Sequence, residues 1–325
     1  MNPVLYIELA GGLIYLLAGG DVLVRGAVAL ARRFHVSPMV IALTVVAFGT
    51  SLPELVVVLQ AALTGYPGLV LGNVIGSNIA NVLLVMGAAA VIYPLTYGEH
   101  SVRRDSLVMI AATILLILMC VSGALTPLMG AVLLGGLVAV SLLTAREAAR
   151  AYRNAELKPP MEWVLGLPAK PGIIALFIVV GAIGLPVGAK LVVDASVEIA
   201  THFGVNETVV GLTVLAIGTS LPELATTVVA AVHKRTEVVI GTVVGSNIFN
   251  VLAIMGVGAV VSPFPIDVPR GLFTLDFPVM LGAAVLLSVF VWLRRPVRRG
   301  AGIVFLVGYL VYISALVLRS REMAY

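Results

Sequence analysis

The sequence predicts an all-α polytopic membrane protein, ten transmembrane helices arranged as two inverted five-helix repeats with both termini outside the cytoplasm. Three observations predict this fold. Of 325 residues, 60% are hydrophobic and only 11% charged, where a soluble domain carries about 25% charge. The apolar runs approach the roughly 20 residues that cross a bilayer. Two polar motifs also recur at a single offset along the chain. A mean hydropathy of +1.12 excludes a water-soluble globular enzyme, so the lipid bilayer is the expected solvent. The net charge of +4 fits basic cytoplasmic loops rather than a nucleic-acid partner.

Charge and turn clusters divide the apolar runs into spans at 4–31, 38–63, 69–93, 106–122, 125–144, 171–200, 207–232, 238–261, 275–293 and 301–318. Ser37-Pro38 opens the second span as an N-cap followed by proline, and Asn206-Glu207 stands at the matching place before the seventh. Asp21 with Arg25, and Lys190 with Asp194, lie four apart in the first and sixth spans and read as neutralising pairs. Cys120 is the single cysteine, buried in an apolar run and expected to be an inert core thiol. His35, His100, His202 and His233 fall in loops without ligand spacing and read as solvated.

Orientation follows from Lys and Arg. Fifteen of the twenty fall in the loops on one side, including Arg32, Arg33, Arg103, Arg104, Lys234, Arg235, Arg294 and Arg295. Only Arg270, Arg319 and Arg321 fall on the other, so the first side is read as cytoplasmic.

Gly49-Thr50-Ser51-Leu52-Pro53-Glu54-Leu55 returns as Gly218-Thr219-Ser220-Leu221-Pro222-Glu223-Leu224, an offset of 169. At the same offset, Gly76-Ser77-Asn78-Ile79-Ala80-Asn81 meets Gly245-Ser246-Asn247-Ile248-Phe249-Asn250. The halves are therefore a duplication: residues 1–143, a cytoplasmic linker 144–170, and 171–325. Five spans per half is odd, so the second copy enters the membrane inverted. That is the architecture of secondary transporters, with the binding site at the repeat interface.

Glu54 and Glu223 lie deep in apolar helices, where an ionisable group reads as functional. Pro53 and Pro222 give no N–H to the carbonyls of Gly49 and Gly218, which makes local unwinding near Ala47, Thr50, Ala216 and Thr219 expected. Ser77 and Asn81 share a helix face, as do Ser246 and Asn250. Asn78 and Asn247 are expected to cap the broken helices. The set is two carboxylates, freed carbonyls, the hydroxyls of Thr50, Ser51, Ser77, Thr219, Ser220 and Ser246, and the amides of Asn81 and Asn250. All are oxygen donors, which suit a hard cation, calcium above magnesium.

At these two blocks the sequence resembles the cation/calcium antiporter superfamily, most closely prokaryotic sodium/calcium exchangers, along essentially the whole chain. The resemblance implies a secondary-active antiporter that exchanges Ca²⁺ for Na⁺ by alternating access, in a prokaryotic inner membrane, with no enzymatic activity. It implies calcium ligation by Glu54 and Glu223 with the backbone oxygens of Thr50 and Thr219. Sodium would use Ser51, Ser77, Ser220, Ser246, the carbonyls of Ala47 and Ala216, and the same Thr and Glu residues. Asn81 and Asn250 line the site. One departure stands out: Asn250 occupies a place where many such exchangers have Asp, which leaves H⁺ open as the counter-ion. A cation channel is a further alternative. No cofactor and no protein partner are expected; the partners are inorganic cations and lipid. The first and sixth spans, which lack the broken motif, are expected to move against a fixed core.

Overall fold

The computed structural model describes residues 3–96, 101–153, 167–202 and 216–322. In chain order the helices are α1 (Pro3–Arg33) and α2 (Pro38–Thr50 and Leu52–Thr64, bent by 46°). Next come α3 (Pro67–Ile92), α4 (Ser101–Cys120), α5 (Pro127–Arg153) and α6 (Pro171–His202). The remainder are α7 (Ala216–Thr219 and Leu221–Val232), α8 (Thr236–Val261), α9 (Asp276–Trp292) and α10 (Arg299–Glu322). Among the described residues seven helices are long and apolar enough to cross a membrane, eight when bent α2 is one span. α4 falls short because Arg103, Arg104 and Asp105 sit near its start. The described second half of α7 has 12 residues. Residues 207–215 of that predicted span, the Asn206-Glu207 cap, His100 and residues 154–166 of the linker lie outside the described residues.

Apolar side chains cover the outside as well as the inside. Ile14, Leu128, Val138, Leu310 and Val311 are all more than half exposed, as a lipid-facing surface requires. α8 is nearly enclosed, with twelve of its first fourteen residues buried. Glycine permits that enclosure: a Cβ at Gly245 would stand 2.5 Å from the Leu43 carbonyl of α2. α1 and α6 pack antiparallel through a second seam. A Cβ at Gly188 would lie 3.1 Å from the Gly12 oxygen, and one at Gly181 2.9 Å from the Gly19 oxygen.

Several expectations are corrected. The fold is helical, as expected, with one short addition that hydropathy does not mark: β1 (Ala124–Leu125) pairs antiparallel with β2 (Ile266–Asp267). At the opposite end of the bundle Leu95 and Val297 exchange two backbone hydrogen bonds of 3.0 Å. These short pairings satisfy backbone groups where chain leaves one helix for the next. α5 does not stop at 144 but runs on to Arg153. Residues 145–153 hold four Ala, three Arg and one Glu, good helix formers that continue the helix beyond its apolar part. α4 begins at Ser101 rather than 106, since hydropathy does not register its charged first turns. His233 is not merely solvated: its Nε2 lies 2.7 Å from Asp21 Oδ1, while Arg25 Nε holds Asp21 Oδ2 at 2.8 Å. Asp21 thereby ties α1 to the end of α7. Lys190 and Asp194 form the expected pair at 2.7 Å. Ser37 caps α2, its hydroxyl accepting from the Met39 N–H at 3.2 Å.

Candidate cation site

Each motif helix breaks at the serine before its Leu-Pro. Ser51 (φ −85°, ψ 8°) and Ser220 (φ −89°, ψ 4°) leave the helical region in the same way. The chain then restarts with proline in its first turn, where a missing N–H costs nothing. Glu54 and Glu223 consequently fall in the first turns of the second halves of α2 and α7. Both are buried, 1% and 0% exposed.

The two halves meet through these residues. Ser51 Oγ of α2 donates to Glu223 Oε1 of α7 at 3.0 Å. The hydroxyls of Thr50 and Ser246 face the same carboxylate, and Glu54 stands within electrostatic reach of it. Thr50 Oγ1 also bonds the Ala47 carbonyl at 3.3 Å, which receives the Ser51 N–H at 3.1 Å. On the second repeat the Ser220 N–H reaches the Ile217 carbonyl at 3.0 Å. Ala216 opens the described part of α7.

α3 and α8 supply the other walls. Ser77, Asn81, Ser246 and Asn250 are 2%, 0%, 0% and 0% exposed. Asn81 and Asn250 each begin a π-helical stretch, Asn81–Met86 and Asn250–Ile254. Such widened turns interrupt the regular hydrogen-bond ladder and recur at functional sites. Sequence patterning offers no signal for them.

Asn78 and Asn247 do not cap the broken helices. Asn81 Nδ2 donates to Asn247 Oδ1 at 3.1 Å, and Asn247 Nδ2 donates to the Asn78 carbonyl at 3.3 Å. Asn78 Nδ2 turns to the Met280 sulfur of α9 at 3.9 Å. The α3–α8 crossing is close enough that these amides reach each other before they reach α2 or α7. Asn247 is thus a core-organising residue, and its place beside Ser246 in the repeated block was the available signal.

Most of the remaining oxygens are buried without a hydrogen-bond partner. They are both Glu54 oxygens, Glu223 Oε2, the hydroxyls of Ser77, Thr219, Ser220 and Ser246, and the side-chain oxygens of Asn81 and Asn250. A buried polar group left unpaired costs about 1–3 kcal/mol, more when charged. So many together, two of them acids, make this cluster the candidate site for a positive charge. The donors are hard oxygens, and no cluster of three or more His, Cys, Asp or Glu occurs among the described residues. The chemistry suits sodium- or calcium-like ions and not zinc or copper.

Broken helices that enclose two opposed carboxylates at the centre of a lipid-exposed bundle define a membrane transporter of hard cations. The chain belongs to the sodium/calcium exchanger protein family, whose model matches residues 4–145 and 173–318. It is therefore a multi-pass membrane cation/calcium antiporter. It is 30% identical to the sodium/calcium exchanger MaX1 of Methanosarcina acetivorans, over 97% of this chain and 99% of that protein. Identity is 34% to the inner membrane protein YrbG of Escherichia coli K12, over 94% of each chain. Among solved structures, the sodium-calcium exchanger NCX_Mj soaked with zero Na⁺ and Ca²⁺ superposes with a TM-score of 0.81 at 30% identity. The match covers 97% of this chain and 99% of that one.

Proposed function

We propose that the chain exchanges Ca²⁺ for Na⁺ by alternating access, in an inner membrane, through ten spans that form two inverted repeats. The observation that carries the proposal is the cross-repeat cluster of Glu54, Glu223 and Ser51 within a shell of unpartnered oxygens. Two carboxylates balance one divalent cation. Glu54 and Glu223 with the backbone oxygens of Thr50 and Thr219 hold Ca²⁺. Ser51, Ser77, Ser220, Ser246 and the carbonyls of Ala47 and Ala216 serve Na⁺ with the same Thr and Glu residues, and Asn81 and Asn250 line the centre. A shell of hydroxyls serves sodium, since a proton needs only the carboxylates.

Antiparallel packing of α1 on α6 supports the inversion. So do the two short pairings, Leu95 with Val297 at one end and β1 with β2 at the other. They link the end of α3 to the start of α10, and the end of α8 to the start of α5. Under a 169-residue offset those are nearly the same pairing made twice. The Arg-rich turns around Arg32, Lys234 and Arg294 support a cytoplasmic assignment for that end, with both termini on the other side.

Labelled calcium loaded into proteoliposomes should be exchanged when an inward sodium gradient is imposed. A pH gradient without sodium should leave it in place. Calcium release driven by the pH gradient alone would replace sodium with H⁺, and release without any counter-ion would make the protein a channel.

Alternating access further requires α1 and α6 to move against α2, α3, α7 and α8. Gly184 of α6 is the place to test it. A Cβ there meets nothing closer than Tyr15 at 3.4 Å, whereas Gly188 is pressed against Gly12. Thiol labelling of Gly184→Cys should proceed at different rates in saturating sodium and in saturating calcium. Equal rates would show that α6 stays still.

A further inference from the structure

Asn73 of α3 and Thr242 of α8 occupy the same position of the duplicated block, 169 residues apart and four residues before Ser77 and Ser246. Thr242 is wholly buried, and its hydroxyl has no partner. The side-chain oxygen of Asn73 is also buried and unpaired. Apart from Thr219 at the site and Thr144 of α5, whose buried hydroxyls are likewise unpartnered, most helical threonines here behave differently. Thr44, Thr64, Thr113, Thr226 and Thr227 each return the hydroxyl to the carbonyl four residues back, the ordinary arrangement in an apolar helix. Thr242 forgoes that bond.

Residues four apart share a helix face. Asn73, Ser77 and Asn81 therefore form one polar stripe, and Thr242, Ser246 and Asn250 form another. The two stripes run in opposite directions. Lys234, just before α8, lies 5.9 Å from the ring of Tyr93, just after α3. At the far end, a Cβ on Gly258 of α8 would meet Val70 of α3 at 3.5 Å. α3 and α8 are antiparallel and cross at Asn78 and Asn247. Asn73 and Thr242 therefore extend the cation cage on opposite sides, each about 6 Å of helix rise beyond its serine. Thr242 lies toward the Arg-rich end and Asn73 toward the other.

We propose that Asn73 and Thr242 are cation ligands of the two access paths, each taking hold of an entering Na⁺ or Ca²⁺ from its own face before the ion reaches Glu54 and Glu223. This rests on the antiporter reading above. Their chemistry fits the task. An amide and a hydroxyl oxygen replace part of a hard ion's water without adding charge, so the ion is held but not trapped. A residue at the centre of an alternating-access protein is reached from both faces in turn. A residue on one path is reached from one face only.

The test uses the full-length protein in sealed vesicles, with Cys120→Ala removing the native thiol. A membrane-impermeant thiol reagent should label Thr242→Cys only from the Arg-rich face and Asn73→Cys only from the opposite face. Thr242→Val should raise the half-saturating cation concentration on the Arg-rich face by roughly tenfold relative to the other face, the scale of one lost ion–dipole contact. Thr242→Ser should restore the wild-type ratio, and Asn73→Val should shift the ratio the opposite way. Where Val prevents insertion, Thr242→Ala gives the same comparison. Labelling of both cysteines from one face, labelling of either from both faces, or equal shifts on the two faces would overturn the assignment. The labelling pattern does not depend on which ion drives transport. A protein that labels as expected but fails sodium-driven exchange would refute the exchange reading and leave the paths intact.

Discussion

Glu54→Gln and Glu223→Gln should each abolish calcium transport, and each should make the ion-free protein more stable. The two effects have one cause. In the folded chain both Glu54 oxygens are buried without a partner, so the carboxylate weakens the fold until a cation neutralises it. Glutamine of the same shape removes that charge. A calcium ion, however, must give up its water to enter, and half of the compensating charge is then missing. Removing one partner from a buried ion pair costs about 3–5 kcal/mol, so calcium affinity should fall by roughly two to four orders of magnitude. Thermal unfolding in detergent, with and without calcium, reads both effects. Wild type should gain stability as calcium rises, and neither variant should respond over the same range. The variants should also differ from each other. Glu223 has the Ser51 hydroxyl on Oε1 at 3.0 Å, whereas Glu54 has no such donor. The ion-free gain should therefore be larger for Glu54→Gln. Near-normal calcium transport in either variant would make the carboxylates structural.

Much of this site could be read in advance because its parts are local. A seven-residue block carries its own break and its own acid, and Ser51 and Ser220 leave the helix with nearly the same dihedral angles. What escaped was set by tertiary packing. The π-helical stretches after Asn81 and Asn250 leave no mark on hydrophobic period. The Asn81–Asn247 bond and the Asp21–His233 pair join residues 166 and 212 positions apart. Nothing near His233 in the chain announces an acid partner. Hydropathy placed the spans well where charge begins or ends sharply. It misplaced the start of α4 and the end of α5, where charged residues remain helical. Asn73 and Thr242 carry no signal of their own in the sequence, because a lone Asn or Thr in a helix has an ordinary explanation. What sets them apart is an unpaired, buried oxygen at the same place in both repeats.

The second large effect is expected at Gly245, a residue that carries no ligand atom. A Cβ at Gly76 of α3 would meet nothing within 4 Å, whereas Gly241 and Gly245 of α8 lie directly against α2, small residues that bring the two helices close. A Cβ added at Gly245 would stand 2.5 Å from the Leu43 carbonyl oxygen, 2.7 Å from Leu43 Cα and 2.9 Å from the Ala47 Cβ. The two nearest are backbone atoms, so no side-chain rotation relieves the clash; α8 must move away from α2. Ser246, next in the chain, moves with it, away from the Thr50 and Ser51 hydroxyls with which it faces Glu223. Overpacking of this kind costs about 1–3 kcal/mol. Gly245→Ala should lower the unfolding temperature and reduce calcium affinity by at least roughly tenfold. Gly282→Ala on α9 is the control, because a Cβ there meets nothing within 4 Å. Unfolding curves and calcium binding on the two variants make the comparison. If Gly245→Ala binds calcium as tightly as Gly282→Ala, the position of α8 against α2 does not set the site. The cation cage would then have to be held by the Asn81–Asn247 crossing and the broken turns alone.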